Sequence, residues 1–328
     1  MNNESQTAGI DINKVYNNIN TLRETISKVL IGQHQVIDQV IIALLSNGHV
    51  LVEGVPGLGK TLLIRTLAAC FNGSFKRVQF TPDLMPADIT GHTLFNMKEG
   101  EFRIRKGPIF TNILLADEIN RSPAKTQAAL LEVMQEKQVT IEGKACEVPT
   151  PFMVLATQNP IEQEGTYPLP EAELDRFLMK IYIDFPDHKD EVKLTTLVCK
   201  ENIDDPLNSQ QIKPLFNSND ISALQKITTK IVVDDQIVDY AVRLVRATRE
   251  NAAIIQGAGP RASIGIIRTA RANALLQNRD FVLPDDIKSV ALPVMRHRIS
   301  LSADVEIDGL TADDVLNKIL ESVDAPHL

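Results

Sequence analysis

The eight residues GVPGLGKT, Gly54 to Thr61, restrict the fold of this chain more than any other stretch. The pattern is that of a phosphate loop, and it comes with the flanks such a loop requires. An apolar strand, HVLV, precedes it and a helical stretch, TLLIRTLAAC, follows. Glycines let backbone N–H groups turn inward and cradle phosphate oxygens. The loop feeds a helix N-terminus, whose dipole favours an anion. Gly54, Val55, Pro56, Gly57, Leu58, Gly59 and Leu62 form the expected cradle. Lys60 is placed to reach the β- and γ-phosphates of ATP, and Thr61 to hold Mg²⁺. A glycine-rich turn that binds nothing would not need the lysine, the hydroxyl and the strand–helix setting together.

Three further stretches gain meaning beside that loop. ILLADE, Ile113 to Glu118, is an apolar strand ending in two carboxylates. Asp117 is placed to hold the Mg²⁺ shell and Glu118 to take a proton from an attacking water. ATQNP ends another buried strand with Gln158 and Asn159, whose amide could bond a water and a phosphate oxygen, or simply form a turn before Pro160. GAGPRA opens a helix with Pro260 at its first position. Arg261 then sits in the first turn, where the helix dipole disfavours a cation, and a nearby anion such as ATP phosphate would resolve the conflict. A fourth stretch, PLPEAELDRF, carries Arg176 in a short helical segment. There it could merely pair with Glu173 one turn back, an interaction worth about 0.2–0.5 kcal/mol.

Apolar strands separated by helices run up to Pro186 and predict an α/β fold with a parallel sheet covered on both faces. SPAKTQAALLEVMQEK reads as one of its helices, with Ser122 as N-cap and Pro123 at the first position. QVTIEGKACEVP reads as a hairpin. Behind Pro186 every patterned segment has helical periodicity. The expected organisation is therefore a core over residues 1–185 and an all-α domain over 186–328, which suits a chain of 328 residues.

Composition excludes several classes. The N-terminal MNNESQTAGIDINK lacks the apolar centre of a signal peptide. No apolar run approaches the roughly 18–20 residues of a membrane helix. Cys70, Cys146 and Cys199 are odd in number and far apart, which suggests reduced thiols in a cytoplasmic protein. A net charge of -8 argues against a general nucleic-acid binder.

Taken together, GVPGLGKT, GPIFTNILLADEINRSPAKTQAALLEVMQE, QVTIEG, PFMVLATQNPIEQEGTYPLPEAELDRF and GAGPRA resemble the MoxR family of AAA+ ATPases. The resemblance implies an αβα nucleotide-binding core, a helical lid, and a ring of subunits, typically a hexamer, with ATP at the seam between neighbours. It makes Lys60 and Thr61 the Walker A pair and Asp117 and Glu118 the Walker B pair. Asn159 matches sensor 1, Arg261 sensor 2, and Arg176 the arginine finger that reaches the neighbour's ATP. Ile31 and Gly32, in the segment Ile31 to Gln33, look like the adenine-side segment. Residues 93–106 fall where related proteins carry a hairpin insert in helix 2. Gly259 departs from the family pattern, which has serine there. The family's rings remodel or mature a client, often by helping to insert a metal or cofactor, and commonly pair with a protein carrying a von Willebrand factor A domain. Other readings are a nucleic-acid motor resembling minichromosome-maintenance helicases, a magnesium-chelatase-like motor subunit, and a nucleotide switch with little turnover. The acidic chain speaks against the first, and Glu118 against the last.

Overall fold

The structure is a computed structural model that describes residues 11–55, 57–98, 100–159, 165–201 and 212–326. Pro56 of the phosphate loop lies outside the described residues. Helices α1 (Ile12–Val29) and α2 (His34–Leu45) come first. Asp11 caps α1 by accepting from the Lys14 N–H at 3.0 Å. The buried side chains Val15, Ile19, Leu22, Ile26 and Val29 recur at helical spacing and turn one face of α1 inward.

The elements that follow are β1 (Val50–Glu53), α3 (Lys60–Ala69), β2 (Phe71–Asn72), β3 (Phe75–Gln79), α4 (Pro86–Thr90), β4 (Gly91–Asn96) and β5 (Glu101–Lys106). After them come β6 (Ile113–Asp117), α5 (Ala124–Glu136), β7 (Gln138–Ile141), β8 (Lys144–Glu147), β9 (Met153–Gln158), α6 (Glu171–Leu174) and β10 (Met179–Tyr182). Five strands form one parallel sheet in the order β10-β1-β9-β6-β3. Alternation along the strands splits the core in two. Val50, Val52, Leu115 and Leu155 join a cluster with α1, α2 and α3. Leu51, Leu114, Ala116 and Val154 join another with Leu130 and Leu131 of α5. The result is the αβα layering expected for buried parallel strands.

The start of α5 differs from expectation. Pro123 is the N-cap, with its carbonyl accepting from Thr126 and Gln127, while the Ser122 hydroxyl is buried and donates to Ile119 O at 3.4 Å. A 3₁₀ turn over Ile119–Arg121 draws Ser122 inward and takes it away from the helix end.

Behind the sheet lie α7 (His188–Glu201), β11 (Phe216–Asn217), α8 (Ser218–Thr228), α9 (Asp235–Glu250), β12 (Ile254–Gln256) and α10 (Pro260–Leu276). The chain ends with α11 (Pro284–Met295), β13 (Ser300–Leu301), α12 (Ala303–Ile307) and α13 (Ala312–Ser322). Among the described residues of this part, helices are joined by short pairings of β12 with β13 and of β11 with β2 of the core, and by a single bridge between Val232 and Phe281. Strands of two or three residues are too short to leave a period in the sequence. Apolar packing continues from the sheet into these helices through Tyr240, Leu244, Ile266, Ile287 and Val294. Three consecutive residues after α11 fasten the lid to the start of β10. Arg296 donates to Lys180 O, His297 Nε2–H to Phe177 O, and Arg298 to Phe177 O and Leu178 O.

Candidate active site

Strand order decides what meets what. In an open parallel sheet, loops leaving the carboxyl ends of adjacent strands line a common crevice. Here β1, β9 and β6 are neighbours, so the phosphate loop, Asn159 and the Asp117–Glu118 pair emerge side by side. Gly57 and Gly59 have φ of 88° and 83°, the left-handed region that glycine enters without steric cost. Gly54 is needed for another reason: a Cβ there would lie 2.5 Å from Ile183 O. The loop is thus pressed against the residue that follows β10. Helix α3 begins at Lys60 with no side-chain cap on its N-terminus. Lys60 Nζ donates to Gly54 O at 2.6 Å and to Gln158 O at 3.3 Å, linking the loop to the end of β9. The Ile31–Gln33 segment reaches the same edge. Leu30 Cδ1 approaches Gly59 at 3.1 Å from its would-be Cβ, Gly32 packs on Pro186 and Asp190, and Gln33 donates to Asp184 O.

The two acids at the end of β6 are held differently. Asp117 is buried, and its Oδ1 accepts from the Thr157 hydroxyl at 2.6 Å. Its Oδ2 accepts from Arg77 Nη2 at 2.6 Å and Nε at 3.0 Å. Glu118 has φ 55° and ψ 52°, a left-handed conformation that costs a non-glycine residue about 1–2 kcal/mol. The Thr157 Oγ1 accepts its N–H at 2.8 Å, and Gln79 Nε2 and Arg121 Nη1 donate to its Oε2 at 2.7 and 3.0 Å. Backbone strain held in place by several surrounding bonds is a feature of functional sites.

The sequence reading missed Arg77, Gln79 and Thr157. A signal existed in FKRVQ: polar residues at 77 and 79 share one face of a strand, and β3 pairs with β6 so that Gln79 lies opposite Asp117. That pairing is a tertiary fact, so the roles of the two side chains could not be read locally.

Arg176 and Arg261 are not on this edge. Arg176 precedes Met179, the first residue of β10, while the phosphate loop follows Glu53, the last residue of β1. The two strands run parallel with Val50 beside Met179, so Arg176 and Gly54 lie at opposite ends of the sheet. Four strand residues alone separate them by about 13 Å. Arg176 stands past the end of α6, where its Nε pairs with Glu173 at 2.9 Å and Nη1 donates to Leu131 O at 2.9 Å. It shares a recess of about 310 Å³ with Arg261, Arg268, Arg298 and Lys137. Arg261 does sit in the first turn of its helix, and the anion beside it is Asp175, at 3.2 Å. The other oxygen of Asp175 accepts from Arg298 Nε at 2.7 Å. Only 4% of the Arg298 side chain is exposed, and burial pushes its guanidinium down while Asp175 pulls it back up.

Residues 49–179 match the ATPase family associated with various cellular activities (AAA), and residues 246–319 match the AAA lid domain. The chain is 44% identical to the chaperone MoxR1 of Mycobacterium tuberculosis, over 92% of this chain and 81% of that one. It is 32% identical to the protein MoxR of Methylorubrum extorquens, over 92% and 93% of the two chains. The chain belongs to the MoxR family of AAA+ ATPases. A crystal structure of a candidate ATPase from Cytophaga hutchinsonii superposes with a TM-score of 0.87 at 42% identity, covering 96% of this chain and 97% of that one. The AAA match spans the sheet from just before β1 to the start of β10, and the lid match runs from the end of α9 into α13. No helix among the described residues is long and apolar enough to cross a membrane.

The oxygen donors suit a hard cation shared with phosphates. No group of three or more His, Cys, Asp or Glu side chains forms a self-contained metal site among the described residues. Mg²⁺ is commonly held by one or two protein oxygens together with substrate phosphates. The Thr61 hydroxyl and the Asp117 carboxylate fit that pattern.

Proposed function

We propose that this MoxR-family ATPase hydrolyses Mg²⁺-bound ATP at the seam of a homo-oligomeric ring, typically a hexamer, and uses the cycle to remodel a client protein. The observation that carries this reading is the division of the sheet: the phosphate loop and the acids occupy one end, the arginines the other. A second copy docked head to tail brings the two ends together, and a heterologous contact of this kind closes into a ring when the rotation allows. Lys60 and the loop amides bind the phosphates, and Asn159 orients the attacking water. Thr61 and Asp117 hold the metal, which supplies charge neutralisation at the phosphates. Glu118 accepts the proton of the water. Arg176 and Arg261 approach the γ-phosphate of the neighbour, both from one recess. Ile31 and Gly32 lie on the adenine side. The name of one relative, the chaperone MoxR1 of Mycobacterium tuberculosis, supports client remodelling. Metal or cofactor insertion, a von Willebrand factor A-domain partner and a cytoplasmic setting are part of the same proposal and rest on the family resemblance. The exposed hairpin β4–β5, where the tilted rings of Phe95 and Phe102 meet at 5.1 Å, is the part of the helix-2 insert offered to a client or partner.

Mixing two dead variants tests the seam. Lys60→Ala should lose ATP binding, and Arg176→Ala should bind ATP but turn over poorly. Rings mixed from both contain seams where an intact loop meets an intact arginine, so activity should return on mixing. If the mixture stays as inactive as its parts while co-assembling, the shared site is wrong.

A further inference from the structure

A second recess lies beside the arginine recess, sharing Asn47 and Arg268 with it. It encloses about 510 Å³ between the end of α2, helix α8 and the later turns of α10. That volume falls within the range of small-molecule sites, about 300–1,000 Å³. Its walls carry Lys226, Arg268 and Arg271 together with the hydroxyls of Thr150 and Ser222, and no described carboxylate lines it. In a chain of net charge -8, this is a local excess of cations.

Arg268 is partly committed, since its Nη2 donates to Ser46 O and Asn47 O. Arg271 is not. Its side chain makes no hydrogen bond or ion pair with any described residue, and its Nε is buried without a partner. Burial pushes its guanidinium down, as expected for a cation drawn from water with no counter-charge. Lys226, at the rim, likewise has no partner for its ammonium among the described residues. A buried polar nitrogen is normally hydrogen-bonded, so the Arg271 Nε calls for an acceptor that the described chain does not supply.

We infer that this recess binds a phosphate-bearing small molecule, its phosphate held by Arg271 and Lys226. Charge selects the group. A phosphate monoester carries about -1.5 to -2 at pH 7 and offers only acceptors, which answers two unmatched cations and two hydroxyl donors. A single carboxylate would answer one. The remaining volume accommodates a nucleoside or sugar. Because Arg261, Arg268 and Arg271 share α10, an occupant here also touches the helix that carries Arg261.

The test uses the full chain with Lys60→Ala, so that the phosphate loop does not compete. Titration calorimetry with glycerol 3-phosphate should show saturable binding to a single site per chain, and inorganic phosphate should raise the melting temperature. Adding Arg271→Gln should weaken binding about tenfold or more, the loss of a charge-assisted contact. In phosphate-free buffer the same change should leave the melting temperature unchanged or raise it, because a purely structural arginine would lower it. Lys226→Gln, at the exposed rim, should weaken binding without affecting folding. The proposal fails if neither ligand binds, if both substitutions leave binding intact, or if acetate stabilises as well as phosphate. It also fails if Arg271→Gln impairs self-association while phosphate binds nowhere, since the recess would then be a contact between copies.

Discussion

The two ends of the central sheet are made of different materials. At the phosphate-loop end the working groups are backbone amides, a lysine and two acids, drawn from the ends of three adjacent strands. At the other end they are side chains alone, brought from α10, the turn after α6 and the turn after α11. One end is a cradle that local chain geometry makes nearly inevitable. The other is an assembly of guanidinium groups, with Arg261 and Arg298 sharing the carboxylate of Asp175, and it draws on both lid and core. On the proposed reading these are two half-sites, one that follows a contiguous sequence pattern and one built by tertiary contact.

Arg176→Ala bears hardest on that comparison. Turnover should fall by about 10³–10⁵, the range for arginine fingers, while ATP affinity stays unchanged. Equilibrium binding of a fluorescent ATP analogue beside steady-state turnover measures both. Lost affinity with intact turnover would place Arg176 in its own chain's binding site and erase the distinction between the ends. Unchanged turnover would leave its contacts with Glu173 and Leu131 O as its whole role.

Glu118→Gln probes the cradle end. It keeps the shape and the capacity to accept from Gln79 and Arg121, yet removes the base. Turnover should drop by about 10²–10⁴, with ATP bound and the assembled form accumulating. A protein that still cycles at the wild-type rate would show that the strained backbone at Glu118 serves another purpose.

Asp175→Asn sharpens the comparison by separating docking from chemistry. Arg298 is buried and Asp175 is its only carboxylate partner among the described residues, so the amide leaves a buried cation poorly matched. Breaking such a pair costs about 3 kcal/mol of stability, read as a shift in urea midpoint. The phosphate-loop end should be indifferent, and ATP affinity unchanged. If stability holds while turnover falls, Asp175 acts by aiming Arg261, not by fastening the lid.

Legibility in the sequence follows the same division. The loop, the acid pair and the sheet strands were readable because each is a contiguous pattern whose physics is complete within ten or so residues. Arg176 and Arg261 drew attention, but their recess could not be foreseen: Asp175 and Arg298 are 123 positions apart, and nothing local pairs them. Arg77 and Gln79 stayed hidden because strand order is not written along the chain. Ser122 is not the cap its position before a proline suggests, because a 3₁₀ turn pulls it inward. The short strands β2, β11, β12 and β13 carry too few residues to show alternation.

The smallest expected effect lies at the arginine end. His49, buried, lines that recess just before β1. Its Nδ1 accepts from the Val154 N–H at 3.0 Å and its Nε2–H donates to Met134 O at 3.1 Å, which requires the neutral ring. Burial is the main cause that pushes it down to about 4 from an ordinary 6.5. The unfolded chain therefore takes up this proton at a higher pH than the folded one. Its contribution is complete above 6.5 and is lost as pH falls towards 4. Linkage puts the loss at about 1.4 kcal/mol by about pH 5.5. His297, also pushed down by burial and bonded to Phe177 O, acts in the same direction. Urea unfolding at about pH 7.5 and 5.5 measures the drop, and His49→Gln should shrink it by about that amount. An undiminished drop in the variant would move the acid sensitivity elsewhere. A diminished one would show that mild acid loosens the arginine end of the sheet, where His49 and His297 lie, in preference to the cradle end.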